Sequence, residues 1–170
     1  MLPHPTPFLT ELLASLEPTP GALDHLLLDH ICYRVESVAD YERLRDALLV
    51  DNILLAESII QGRRISTFRM SAPWVHGQRR IELLELPEPK PGSFYPEGYD
   101  HVEFVTDRPL AAFADWLEEH LGIDEARIDR SGLSKASNAD LRIHLGGGWS
   151  VKFHERALDA VIAEELGQEP

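Results

Sequence analysis

The sequence predicts an α+β fold in which a β-α-β-β-β unit occurs twice along the chain. Two stretches carry this prediction, "LDHICYRV" at residues 28–35 and "GYDHVEFV" at residues 98–105, because each opens a run of strand-forming residues with Asp-His. Each run is followed by an amphipathic helix and then by three further strand candidates. The two histidines lie about 70 residues apart, which leaves room for four ordinary strands and one helix. His30 and His101 are therefore expected at corresponding positions of the two units.

The first unit follows an N-terminal helix. Apolar residues of "TPFLTELLASLEP" recur at helical spacing until Pro18, which predicts a helix over residues 7–17. The strand "HICYRV" comes next, and Ser37 can cap the helix that follows in "SVADYERLRDALLV". "ILLAESII", "RISTFRM" and "RRIELLEL" are the remaining strand candidates, with a loop expected over residues 71–78. The first unit is thus expected to span residues 28–87.

A proline-rich segment separates the two units. "LPEPKPGSFYPEGYD" favours neither helix nor strand, so residues 88–99 are expected to form a linker. The second unit, residues 100–154, opens with "HVEFV", continues with the helix "PLAAFADWLEEHLG" and ends with weaker strands near residues 126–128, 141–145 and 149–153. "GGG" at residues 146–148 predicts a tight turn between the last two strands. A closing helix is expected over residues 155–167, so residues 1–170 are expected to form one domain.

Composition and charge exclude several classes of protein. The formal net charge is −13, and Lys and Arg form no stripe that could neutralise a phosphate backbone, so nucleic acid is not expected as a partner. No apolar run is long enough to cross a membrane, and the first residues lack the basic and apolar segments of a signal peptide, which predicts a cytoplasmic protein. Cys32 is the single cysteine, which excludes an internal disulfide and a CxxC-type metal site.

Each of the two leading strands has one polar and one apolar face, because side chains alternate across a strand. His30, Cys32 and Arg34 share one face of the first strand, and His101 and Glu103 share one face of the second. The polar faces are expected to line a cleft while the apolar faces pack under helices. Plainer interpretations exist for each residue, such as a histidine satisfied by a backbone carbonyl or a Glu103–Arg34 ion pair across the sheet. The correspondence of the two histidines favours metal ligands for that pair.

The paired units, the histidine opening each leading strand and the glutamate of "LLELP" together resemble the vicinal oxygen chelate superfamily of glyoxalases, extradiol dioxygenases and antibiotic-resistance binding proteins. "DHICYRV", "IIQGRRISTFRM", "LLELPEPKPGSFYPEGYDHVEFV" and "WSVKFHERALDAVIAEE" are similar to its YecM-like branch. The resemblance implies that the two units form a half-open mixed β-barrel or sheet with flanking helices. It also implies a metal on the concave face, with His30, Glu85 and His101 as ligands.

The fourth ligand position departs from the superfamily pattern, which often has a glutamate in the last strand. This chain has Lys152 there or, two residues further on the same side, His154. Imidazole coordinates metals readily near neutral pH and an ammonium does not. The sequence therefore predicts either His154 as fourth ligand or a three-ligand site with Lys152 nearby as a charge partner for bound substrate.

Two imidazoles and a carboxylate suit a divalent metal ion such as Zn, Fe(II), Ni or Mn and leave coordination positions open. A small substrate with adjacent oxygens could then chelate the ion. The intact His30, Glu85 and His101 set favours a metal-dependent isomerase, lyase or oxygenase. The positions of Glu103 and Arg34 on the polar faces make Glu103 the candidate general base or outer carboxylate and Arg34 the candidate anchor for an anionic group. A protein that sequesters a small molecule in the same cleft without metal is the alternative, and an interaction module is a third. Paired units of this superfamily can assemble across chains, which leaves a homodimer open.

Overall fold

The computed structural model of the protein describes residues 2–135 and 138–167. Within these ranges the helices are α1 (Thr6–Leu16), α2 (Val38–Leu49), α3 (Leu110–Leu121) and α4 (Leu158–Glu165). The strands are β1 (Leu27–Arg34), β2 (Ile53–Ile60), β3 (Arg63–His76), β4 (Arg79–Pro87), β5 (Gly98–Val105), β6 (Ile128–Asp129), β7 (Leu141–His144) and β8 (Ser150–His154). The order β-α-β-β-β therefore occurs twice, as the sequence predicts.

All eight strands form one mixed sheet in the order β2-β3-β4-β1-β5-β8-β7-β6. Each unit supplies four adjacent strands, and the units meet where β1 and β5 pair antiparallel. β1 pairs parallel with β4, and β5 pairs parallel with β8, so the two halves of the sheet have equivalent topology. In the described ranges β2 and β6 lie at opposite edges of the sheet, which therefore stays open. The predicted α+β fold with a mixed, half-open sheet is confirmed.

Local sequence explains the helix ends and the buried face of the sheet. Ser37 Oγ accepts a hydrogen bond from the backbone N–H of Asp40 (3.1 Å), which is the predicted cap of α2. Gly122 ends α3 in the left-handed conformation with φ 62°. Ile31 and Phe104 are fully buried in one apolar core with residues of α1, α2 and α3. None of the helices in the described ranges is long and apolar enough to cross a lipid bilayer.

The predicted loop over residues 71–78 is wrong, because β3 continues through this segment to His76. The ladder with β4 shifts its register between Arg69 and Trp74, and Pro73 lies inside that irregularity. A bulge tolerates proline because the ladder needs no N–H there. Gly77 then turns the chain with φ 61°.

The weaker strands β6 and β7 of the second unit are shorter than their sequence patterns, and β8 has the predicted length. The stretch 126–128 is mostly a 3₁₀ turn at Glu125–Arg127, followed by the two-residue strand β6. The "GGG" segment turns the chain between the antiparallel strands β7 and β8, which confirms the predicted hairpin. Helix α4 begins three residues later than the predicted start at residue 155, after β8 has ended at His154.

Candidate functional site

A cavity of about 510 Å³ opens on the polar face of the central strands. Strands β1, β4, β5 and β8 contribute to its lining, and so does helix α4. The residues predicted for the site that line it are His30, Arg34, Glu85, His101, Glu103, Lys152 and His154. The alternation of side chains along each strand thus assigns all of them to the correct face.

The register of the central strands brings the two histidines together. In the antiparallel pair, His30 lies opposite Glu103 and Cys32 lies opposite His101. Glu85 lies beside Cys32 in the parallel pair of β1 and β4. As a result, ligand atoms of His30, Glu85, His101 and Glu103 all lie within 4.8 Å of one another. This group includes Glu103, which the sequence assigns to catalysis, and does not include His154.

The separations of these atoms suit a single metal ion. His101 Nε2 lies 3.0 Å from Glu103 Oε1 and 3.9 Å from Glu85 Oε2, while His30 Nε2 lies 3.4 Å from Glu103 Oε1. Donors bound at about 2.0–2.2 Å to one ion stand roughly 3–4.4 Å apart. His30 Nε2 is buried, and its contact with Glu103 lacks hydrogen-bond geometry, so this nitrogen has no hydrogen-bond partner in the part of the chain that the structure describes. A buried polar atom is costly to leave unpaired, and the four residues therefore fit a divalent ion.

The aspartate that precedes each histidine orients its ring. His30 Nδ1 donates to Asp29 Oδ2 (2.8 Å), and His101 Nδ1 donates to Asp100 Oδ2 (2.6 Å). Asp29 Oδ2 also accepts from the backbone N–H of Leu158 at the start of α4 (3.0 Å). Metal-binding histidines are commonly held by a carboxylate in this way, with the other ring nitrogen left for the ion. Sequence reasoning missed the role of the two aspartates, although the repeated Asp-His pair was the signal for it.

Negative charge dominates the electrostatics of the ligand group. Burial by itself would lower the pKa of His30, but the charge of Glu103 and the hydrogen bond with Asp29 raise this pKa to about 10. Burial would likewise raise the pKa of Glu103, but the charges of His30 and Lys152 hold it well below its usual range. Glu103 is therefore ionised, and the carboxylates around His30 favour a cation at its ring. A divalent ion can replace the proton as that cation.

Lys152 occupies the position in β8 that corresponds to Glu85 in β4. The β1–β4 ladder pairs Cys32 with Glu85, and the β5–β8 ladder pairs Glu103 with Lys152. Lys152 Nζ donates to Glu103 Oε1 and lies 3.2 Å from His101 Nε2. Burial would lower the pKa of Lys152, but the charges of Glu103 and Glu85 raise it. Lys152 is therefore an ammonium that touches the ligand atoms and cannot itself coordinate.

His154 lies beyond the ligand group and contacts it through Glu103. Its Nε2 bonds to Glu103 Oε2, and its Nδ1 lies 2.9 Å from the carbonyl oxygen of Ala139. The ring therefore lies between the second carboxylate oxygen of Glu103 and the backbone carbonyl of Ala139. This geometry favours Glu103 over His154 as the fourth donor.

Arg34 lies on the cavity wall and pairs with Asp100 rather than with Glu103. Its Nη2 is 3.0 Å from Asp100 Oδ2, and its guanidinium carbon lies 4.6 Å from the centre of the Tyr95 ring. The side chain is 31% exposed, and its buried Nε has no hydrogen-bond partner within residues 2–135 and 138–167. Arg34 thus keeps donor capacity at the cavity surface.

Cys32 belongs to a second, overlapping group of potential ligands with Asp100 and His101. Burial and the neighbouring charge of Glu85 raise the pKa of its thiol well above the ordinary value. A thiol that keeps its proton is neither a good ligand nor a nucleophile. The group around His30 is therefore the stronger candidate.

Comparisons with known sequences find relatives along most of the chain. A family model described as YecM protein matches residues 5–165. Protein YecM of Escherichia coli (strain K12) is 28% identical over 149 residues, which cover 82% of this chain and 79% of that protein. An uncharacterised protein of Haemophilus influenzae is 28% identical over 96 residues, 56% of this chain, and the match spans only 50% of the length of that relative.

Comparisons with solved structures find the same architecture. A protein solved by structural genomics is 28% identical and superposes with a TM-score of 0.74, covering 94% of this chain and 86% of that one. A methylmalonyl-CoA epimerase is 12% identical and reaches a TM-score of 0.51 over 75% of this chain and 93% of its own. At this identity the likeness to the epimerase concerns the fold alone.

Proposed function

The chain belongs to the YecM family, and we propose that it is a metal-dependent enzyme that acts on a small oxygen-chelating substrate. His30, Glu85, His101 and Glu103 would hold the divalent ion, which is zinc, iron(II), nickel or manganese in this proposal. The observation that carries the proposal is the convergence of these four donors within 4.8 Å of one another. The unpartnered, buried His30 Nε2 supports it independently.

The chain's own residues would bind and polarise the substrate around this centre. A bound divalent ion would supply Lewis-acid stabilisation of negative charge on the chelating oxygens. Lys152 holds its ammonium against the same donors, where it favours negative charge on a substrate oxygen. Arg34 presents a planar guanidinium to an anionic group at the cavity wall. The cavity volume of about 510 Å³ is that of a site for a small metabolite.

Enolisation of a 2-oxo acid is the simplest reaction that such a site supports: the C–H bond beside the carbonyl would break, its electron pair would give negative charge on the carbonyl oxygen, and solvent water would take the proton. Isomerases and lyases use this chemistry, and an iron(II) oxygenase is the second candidate. Glu103 is a weak proton acceptor because its pKa lies well below the usual range. We therefore assign Glu103 to the ligand set in this proposal rather than to the role of general base. Lys152 and Arg34 remain the residues that would meet the substrate.

Elemental analysis of protein purified without an affinity tag tests the metal, and proton exchange tests the chemistry. We expect one divalent ion per chain, and much less in His101→Ala. Metal-loaded protein should then exchange the proton beside the carbonyl of a 2-oxo acid in D₂O, followed by NMR, and chelator-treated protein should not. Absence of bound metal in the native protein would contradict the proposal. Tight binding of chelating acids without exchange, turnover or oxygen uptake would instead favour a sequestering protein.

A further inference from the structure

The cavity wall carries more positive charge than its free carboxylates can neutralise, although the chain as a whole is strongly acidic with a net charge of −13. Six basic side chains line the cavity: Arg34, Arg63, Lys90, Lys135, Arg142 and Lys152. Two of them have carboxylate partners of their own, because Arg34 pairs with Asp100 (3.0 Å) and Lys135 pairs with Asp140 (2.8 Å). With Glu85 and Glu103 assigned to the metal, Glu165 is the one remaining carboxylate among the described residues of the wall.

Arg142 and Lys152 form a pair of like charges on this wall. They lie directly opposite each other in the antiparallel ladder of β7 and β8, and both line the cavity. Side chains in such positions have Cβ atoms about 5 Å apart, and like charges there destabilise a sheet. Among the described residues, the buried Arg142 Nε also has no hydrogen-bond partner. An anion between the two side chains would relieve both costs.

The neighbour of Arg142 on its other side does not supply that anion. Asp129 lies opposite Arg142 in the short β6–β7 ladder. Its carboxylate accepts from the backbone N–H of Ser131 (2.8 Å), and the bonds from Ser131 together with the more distant charge of Arg142 lower its pKa. In the ranges that the structure describes, the two side chains form no ion pair. The guanidinium therefore keeps its capacity to bind a ligand.

We propose that Arg142 and Lys152 form an anion-binding subsite beside the metal centre, and that the substrate is a small acid with a chelating end and a second anionic group. This inference rests on the proposed metal-dependent function. Glu103, Lys152 and Arg142 follow one another in a single row across β5, β8 and β7. Lys152 Nζ contacts Glu103 Oε1 and lies 3.2 Å from His101 Nε2, so it stands between the metal donors and Arg142.

The row explains how one substrate can use both parts of the site. A divalent ion on the donors repels the ammonium of Lys152, because both are cations. An anionic group beside Arg142 attracts the same ammonium and takes up its hydrogen bonds. The planar fork of arginine matches a carboxylate or a phosphate group through two parallel hydrogen bonds. The shared chemistry of the ligand is thus a carboxylate or phosphate group carried by a chelating acid.

Two pairs of probes with matched chelating ends test the subsite. 2-Oxoglutarate and 2-oxopentanoate differ in one distal carboxylate, and 3-phosphoglycerate and glycerate differ in one phosphate group. Isothermal titration calorimetry at constant salt measures all four on the metal-loaded full chain. We expect the more highly charged member of at least one pair to bind about tenfold or more tightly than its partner, which is the gain typical of a charge-assisted hydrogen bond. The pair that shows this advantage identifies the anionic group.

Substitutions then show which residue gives the more highly charged probe its tighter binding. Arg142→Gln should reduce it to less than about threefold, and Arg142→Lys should keep part of it because the charge remains. Arg127→Gln, which removes an exposed arginine outside the cavity, should leave it intact. Metal content and thermal unfolding are measured first for every variant.

The outcomes separate this inference from the proposed function. If the native chain binds no metal, both fail. If it binds metal and neither 2-oxoglutarate nor 3-phosphoglycerate binds more tightly than its partner, the anion subsite alone is refuted. Survival of the advantage in a folded, metal-loaded Arg142→Gln variant would likewise refute the subsite and leave the metal site standing.

Discussion

Glu103→Gln is the substitution that distinguishes a metal ligand from a residue that acts outside the ligand set. The side chain is 5% exposed and contacts four partners, which are His30, His101, Lys152 and His154. Loss of a contact outside the ligand set typically weakens metal binding about 10–100-fold. Loss of a charged ligand should exceed this range, so we expect a weakening of at least about 100-fold, or roughly 2.7 kcal/mol.

The same substitution also affects the stability of the metal-free protein. Lys152 and His30 lose their shared counter-charge, and removing one partner of a buried ion pair costs about 3–5 kcal/mol. His30 can reduce that cost by releasing its proton, because its raised pKa depends on the charge of Glu103. A lower thermal midpoint of the metal-free variant is therefore expected together with weaker metal binding.

Competition against a chromogenic chelator measures the metal affinity, and the absorption spectrum of the cobalt(II) form reports a change in the ligand set. Glu82→Gln is the matched control, since Glu82 lies on β4, is 43% exposed and contacts Arg80. Affinity within about threefold of the native value in folded Glu103→Gln would refute the assignment of Glu103 as a ligand. His154→Ala should fall in the range of about 10–100-fold, and a loss as large as that of Glu103→Gln would place His154 among the ligands.

Three further predictions concern the histidines and their surroundings. His30→Ala and His101→Ala should each remove most of the bound metal, measured by elemental analysis. The circular dichroism spectrum should stay native, because both side chains face away from the core. Full metal occupancy in both variants would place the site elsewhere. Asp29→Asn and Asp100→Asn should keep the ligands yet weaken metal affinity about 10–100-fold, and unchanged affinity would show that the rings need no orienting carboxylate. Metal affinity should rise with pH, because the pKa of His30 is raised to about 10 and an incoming ion must displace its proton at lower pH. The rise should approach about tenfold per pH unit between about pH 6.5 and 8.5, and a flat profile there would argue against His30 as a ligand.

The faces of the two leading strands could be predicted because alternation along a strand is a local property. His30 and His101 are two positions in two similar short patterns, and their correspondence needs no knowledge of the rest of the fold. The same holds for Ser37, whose cap depends on residues within one helical turn. Local signals of this kind account for the secondary structure and for the polar lining of the cavity.

The choice between Glu103 and His154 could not be made locally. His154 bonds to Glu103 across 51 residues of sequence, and the contact depends on the register of β5 against β8. That register pairs Glu103 with Lys152 and places His154, two residues further along β8, opposite Val105. The extension of β3 past Pro73 depends in the same way on its pairing with β4. Both features depend on contacts between distant strands, which no single stretch of sequence specifies.

The antiparallel pair of β1 and β5 joins the two halves of the sheet, and the four proposed metal donors lie on both sides of it. His30 and Glu85 come from the first half, and His101 and Glu103 come from the second. Neither half alone offers more than two donors, so an ion gains its full affinity only where both halves have folded and docked. A bound ion would then stabilise the docked state by about 2.7 kcal/mol at a free ion concentration one hundred times its dissociation constant. Retention of metal during purification would thereby report the integrity of the whole sheet as well as the presence of four side chains.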